Sequence, residues 1–284
     1  MKAYEQILAK QTEWARNNGI DLIGSKGDRG RPAYTRNLDD NLYKPLNPRT
    51  ERSFREGDGS ELTGTQAKMQ AVHSSSALSV NIFQFWDSFS KAHLIARSCG
   101  FCYRTTQVSQ RISFEVKYPI SDSFGFSPNI DVVIENTPAS KHIVYAIECK
   151  FTEAYGGWGH SGLKKQYLDL DIWEELPNLQ KLAISISPKD CQFQYLHVAQ
   201  LIKHILGLKR ALGKSSFRLL YLWYDALGTE GAKHREEIYE FLEIAKSDDI
   251  AIHELSYQEL IARLASEYRV SHKEYIEYIT SRYL

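Results

Sequence analysis

Asp131 stands 17 residues before Glu148-Cys149-Lys150, and both lie in sequence that reads as β-strand. The first segment is Ser127-Pro128-Asn129-Ile130-Asp131-Val132-Val133-Ile134. The second is Ile143-Val144-Tyr145-Ala146-Ile147-Glu148-Cys149-Lys150-Phe151. Two acids and a lysine inside otherwise apolar strands need a reason. An unpaired charge in a sheet costs several kcal/mol unless it is paired or holds a metal. A carboxylate pair beside a lysine can hold a divalent cation and polarise a water on it.

An antiparallel hairpin would position these groups. The polar run Thr137-Pro138-Ala139-Ser140-Lys141-His142 makes its turn. The midpoint of that run, between Ala139 and Ser140, is also the midpoint between Asp131 and Glu148. The register that centres the turn therefore sets the two carboxylates opposite each other, with Cβ atoms roughly 4.5–5.5 Å apart. Lys150 shares their face by strand alternation, and Cys149 points away while its carbonyl stays close. The alternating run Arg111 to Tyr118 reads as a preceding strand. Glu115 and Asp131 are centred on Ser123 in the loop between them, which makes Glu115 a candidate third carboxylate unless a bulge intervenes. The competing reading is a surface ion pair between Glu148 and Lys150, with Asp131 as a turn residue.

Pro128-Asn129-Ile130-Asp131 followed by Glu148-Cys149-Lys150 resembles the signature of the PD-(D/E)XK nuclease superfamily, the restriction-endonuclease-like fold. His73 to Phe83 and Ala199 to Leu208 resemble a bacterial branch of such proteins, and the resemblance spans roughly residues 30 to 225. It implies metal-dependent hydrolysis of a DNA phosphodiester. Asp131 and Glu148 would hold Mg²⁺, or Mn²⁺ in its place, with the Cys149 carbonyl and waters. Lys150 would orient the attacking water or neutralise developing charge. Glu115 would bind a second metal or act on water. Ligation by oxygen alone argues against zinc. Gln200 and His204, one helical turn apart, are candidate supports for water or DNA, or a polar pair in a helix–sheet contact. A homodimer with one site per strand would suit double-strand cutting. From a different class, a nuclease-like module could bind nucleic acid or a protein partner without cutting.

Around these residues the chain reads as one α/β body: a helix over 75–97, strands near 110–119, 129–136 and 143–152, helices over 164–185 and 194–212, and a buried strand at 219–224. A helix over 231–247, an edge strand at 250–253 and two amphipathic helices follow. The order helix, three-strand meander, helix, strand gives a restriction-endonuclease-like core, a mixed sheet flanked by helices, with a C-terminal helical extension. Residues 1–70 form a helix at 4–18 and an irregular arm packed on the body; residues 71–284 form the nuclease-like domain. The arm's runs Lys26 to Pro32 and Arg52 to Gly59 are suited to phosphate contacts or to a plain surface. The glycine-rich run Ala154 to Gly162 reads as a loop at the site mouth, with Trp158 and His160 as candidate substrate contacts.

The 284 residues are 43% hydrophobic and 12% aromatic, ordinary for a globular protein. No apolar run reaches the roughly 18 residues of a membrane span, and the N-terminus lacks a signal core. A cytoplasmic protein without organic cofactor is expected. Four cysteines suit a reducing compartment, and the lone pair Cys99/Cys102 has no matching second pair. Net charge is zero, but residues 61–224 carry about four excess positive charges and residues 225–284 about six negative ones. The candidate site thus lies in the more basic part of the chain.

Overall fold

The computed structural model describes residues 2–23, 33–57, 59–64, 66–103, 105–125, 127–157, 159–169 and 171–284. In chain order its elements begin with α1 (Ala3–Asn17), β1 (Leu22–Ile23), β2 (Tyr34–Thr35), α2 (Pro48–Glu56), α3 (Ser75–Ser88) and α4 (Ala92–Ser98). The meander β3 (Ser109–Lys117), β4 (Asn129–Asn136) and β5 (Val144–Lys150) follows, then α5 (Lys165–Leu168), α6 (Pro177–Ser185), α7 (Val198–Leu212) and β6 (Phe217–Trp223). The chain continues with α8 (Thr229–Ser247), β7 (Ile252–Ser256), α9 (Tyr257–Tyr268) and α10 (Lys273–Tyr283).

Strands β3 to β7 lie side by side in chain order in one sheet. β3, β4 and β5 pair antiparallel, whereas β6 and β7 run parallel to β5. Short turns suffice for the meander. The parallel step from β5 to β6 needs a crossover, which α5, α6 and α7 supply. One face buries Phe114, Val132, Ile147 and Leu220 against α3, α4, α9 and α10. The other buries Val133, Ala146, Leu219 and Tyr221 against α6, α7 and α8. The α/β architecture with a central mixed sheet is therefore the one its sequence pattern predicts. No helix among the described residues is long and apolar enough to cross a membrane.

Three local expectations change. The helix expected over 75–97 is two helices, broken where Ser90 adopts φ +54° and the Lys91 amide reaches back to the Trp86 carbonyl at 2.8 Å. Apolar residues continue through the break, so periodicity does not reveal it. The helix expected over 164–185 is also two pieces, and Pro177 starts the second, where its missing N–H is harmless. Within the irregular arm, Asn47 caps α2 by accepting from the Thr50 amide at 2.8 Å, and Pro48 follows it. Phe54 of α2 then packs on Phe114 of β3, ring centroids 5.7 Å apart. The run Arg52 to Glu56 is thus helical, while Lys26 to Pro32 lies outside the described residues.

The arm is tied down by the far end of the chain. Arg282 is 1% exposed and donates to the Asn41 carbonyl at 2.8 Å, to the Asn41 side-chain oxygen, and to the Tyr278 hydroxyl at 2.6 Å. Its guanidinium also lies 4.5 Å from the centroid of a Trp14 ring. Asn41 passes the connection on through its amide to the Met69 and Ala71 carbonyls. Arg282→Ala would strand these acceptors in the interior. We expect it to lower stability by about 3 kcal/mol, read as a lower urea midpoint. Lys273→Ala on the exposed face of α10 should stay within about 0.5 kcal/mol of wild type.

Candidate active site

The two ladders bring the three acids to one rung. β4 and β5 pair Val132 with Ile147 and Glu135 with Val144, so positions 131 and 148 fall on the next rung. β3 and β4 pair Phe114 with Val132 and Val116 with Ile130, so positions 115 and 131 share the rung between. The β4–β5 pairs follow the turn-centred register, and the β3–β4 pairs on either side of Glu115 set it level with Asp131.

Simple alternation fails at this same rung. Ile112 and Phe114 face one core and Val116 the other; Val132 faces the first core and Ile130 the second. Both strands switch faces at Glu115 and Asp131. Glu115 makes the switch with φ +52°, a conformation that strains a residue carrying a side chain. The Asp131 carboxylate consequently does not simply stack beside Glu148. It reaches across to accept the Cys149 amide at 2.7 Å, satisfying a β5 backbone donor. Glu115 accepts from the Asn129 amide at 2.9 Å.

Glu148 has no solvent exposure. His204 Nε2 lies 2.7 Å from one of its oxygens and Lys150 Nζ 2.5 Å from the other. The Lys150 ammonium also donates to Gln200 Oε1 at 3.0 Å. Gln200 and His204 thus present one face of α7 to β5, as their spacing allows. Gly207, nearly one turn further, lets α7 come this close to the sheet: a Cβ there would meet the Tyr118 carbonyl at 2.4 Å.

These contacts drive the acids apart in protonation. Burial would raise Glu148, but Lys150 and His204 more than offset it and hold the carboxyl at about 2. Burial and then the Glu148 charge push Asp131 well above the usual carboxylate range, with Lys150 opposing. Burial raises Glu115 to about 7 despite the Asn129 hydrogen bond. Burial would lower Lys150, yet Glu148, Asp131 and Glu153 keep it above its ordinary value. The result is one ionised anchor, a persistent ammonium and two carboxyls that resist ionisation.

Glu115, Asp131, Lys150 and Gln200 line a cavity of about 500 Å³, joined by His197, Lys203 and serines of α3. Ser75 donates to the Cys149 carbonyl at 3.0 Å, and Ser74 caps α3 by accepting from the Ala77 amide. Sequence reasoning did not assign these serines to the site, although they lie in the His73 to Phe83 run that carries the resemblance. His197 was missed as well. Its ring stacks on His160, centroids 4.7 Å apart, and burial followed by the His160 and Lys150 charges lowers its pKa to about 4. Trp158 lies outside the described residues.

The donor set suits a hard divalent cation more than a caged one. A cation beside Asp131 would relieve the repulsion that raises its pKa, whereas each Glu148 oxygen already has a partner, Lys150 at one and His204 at the other. Among the described residues, no group of three or more His, Cys, Asp or Glu is gathered closely enough to hold a metal ion. Magnesium takes one or two carboxylates and keeps its waters; Asp131 could serve it directly, Glu148 would have to exchange Lys150 or His204 for it, and the Cys149 carbonyl accepts from Ser75.

A family model described as restriction endonuclease associating with ARP matches residues 8–284. No curated protein and no solved structure matches the chain.

The raised Glu115 has a stability consequence whose sign is fixed. Between 4.5 and about 7 the folded form holds a proton that the unfolded form has released, so stability falls as pH rises through that window. With divalent cations chelated, thermal melting should drop across this range. Glu115→Gln should flatten the drop, and an unchanged slope in that variant would assign the effect elsewhere.

Proposed function

The chain belongs to the family of restriction endonucleases associating with ARP, and from that premise we propose that it is a divalent-metal-dependent DNA endonuclease of the PD-(D/E)XK type. The observation that carries this reading is the shared rung of Glu115, Asp131 and Glu148, with Lys150 held against Glu148 at the wall of a cavity. Asp131 and Glu148 are the carboxylates that would hold the cation. When bound there, Mg²⁺, or Mn²⁺ in its place, withdraws charge from the phosphodiester and lowers the pKa of the attacking water.

The protein's own groups supply the remainder. Lys150 stays protonated and is aimed by Gln200, so it can donate to a phosphate oxygen as negative charge develops there. His204 locks the Glu148 carboxylate in place from behind. Glu115, with a pKa near neutrality, is suited to take the proton of the attacking water. Lys203 at the cavity rim adds a positive group for the DNA backbone. Cutting both strands calls for two such sites, and a homodimer is the simplest arrangement. ARP, named in the family description, is the protein partner to test first.

The second reading is a module that binds DNA or protein without cutting. It is favoured by the ion pair of Glu148 with Lys150 and its contact with His204, which compensate the buried charge without any cation.

Cleavage decides between them. Wild-type protein should nick plasmid or oligonucleotide DNA with Mg²⁺ or Mn²⁺ and stop with chelator. Asp131→Ala should lose about a hundredfold or more of the rate together with Mn²⁺ binding by calorimetry. Lys150→Ala should lose cleavage while retaining Mn²⁺. Absence of nicking on every DNA form, with Mn²⁺ binding unaffected by Asp131→Ala, rejects the enzyme.

A further inference from the structure

A second cavity of about 420 Å³ adjoins the first and shares four of its walls, Glu61, Ser75, Ser76 and Glu153. Its other walls include Tyr4 of α1, Tyr34 of β2 and His73 just ahead of α3. The His73 imidazole braces both phenols edge-on, with centroids 5.8 Å from Tyr4 and 6.4 Å from Tyr34. Thr152 holds the His73 backbone by donating to its carbonyl at 3.1 Å. Burial lowers the His73 pKa and raises that of Tyr4, which favours the uncharged form of each. Lys68 is the one lysine or arginine among the cavity's described walls; it donates to the Gly59 carbonyl at 2.6 Å, and its charge is set against Glu61.

This chemistry discriminates between the parts of a nucleotide. A phosphate here would face two carboxylates, Glu61 and Glu153. A base would find aromatic surface to stack on and carboxylate oxygens able to accept from its amino or ring N–H groups. The volume falls within the range of small-molecule sites. We propose that this cavity receives the nucleobase beside the scissile phosphate, unstacked from its neighbours, so that the substrate is a DNA strand unpaired at the point of cutting. The proposal rests on the nuclease reading above. In this arrangement the phosphate stays against Lys150, and the Ser75–Ser76 rim marks the boundary between phosphate and base.

The test uses fluorescence anisotropy of the full chain with Ca²⁺, on a mixed-sequence single strand and on an abasic strand of equal length. Tyr34→Leu should weaken binding of the normal strand about tenfold and leave the abasic strand unchanged, whereas Tyr34→Phe should bind like wild type. Thermal melting of each variant separates lost fold from lost contact, and Tyr4→Leu serves if Tyr34→Leu does not fold. Equal weakening on both strands, or none on either, overturns the base pocket. So does wild-type binding to a fully paired duplex as tight as to the single strand. Cleavage by wild type, measured in parallel, separates the two ideas: cleavage with an indifferent Tyr34 sinks the pocket alone. Failure to bind or cut any DNA sinks both.

Discussion

A carboxylate sealed from solvent must be compensated from inside the protein, and Glu148 sets that requirement for the whole site. Its two partners come from different levels of structure. Lys150 is supplied by the strand itself, two residues on. His204 must be delivered by α7, whose path beside the end of β3 leaves no room for a Cβ at position 207. Gly207 makes that approach possible. Removing either partner would leave a buried charge partly unpaired, so strand, crossover helix and glycine are energetically one unit.

Against that fixed charge, the neighbouring acids cannot ionise cheaply. Glu115 and Asp131 sit where β3 and β4 both reverse their faces. That reversal turns two carboxyls into a cavity that regular alternation would have hidden or scattered. The backbone strain at Glu115 is part of this arrangement, and it is consistent with strain gathering where chemistry is assembled.

Much of this was legible in the residues. The hairpin register follows from a centred turn, and a slip by one residue would have moved Val132 and Ile147 from one buried face of the sheet to the other. The pairing of Gln200 and His204 with β5 follows from one-turn spacing on an apolar helix. What was not legible depends on contacts between distant segments. The face reversal at Glu115 leaves no mark on composition. The helix break at Ser90 is masked by apolar residues that continue through it. The capped helix α2 hides in a run dominated by Gly, Arg and Pro. His197 and the α3 serines belong to the site only because the fold carries them there.

Arg282 gives the molecule an order of assembly. The ribosome makes it 241 residues after Asn41, the group it secures. During translation the face of the meander that packs on α9 and α10 also stays uncovered until those helices emerge. The arm that contributes Tyr4 and Tyr34 has no such anchor until α10 is synthesised. A nascent chain therefore completes both the cover of its sheet and the anchor of its arm only with its last helix.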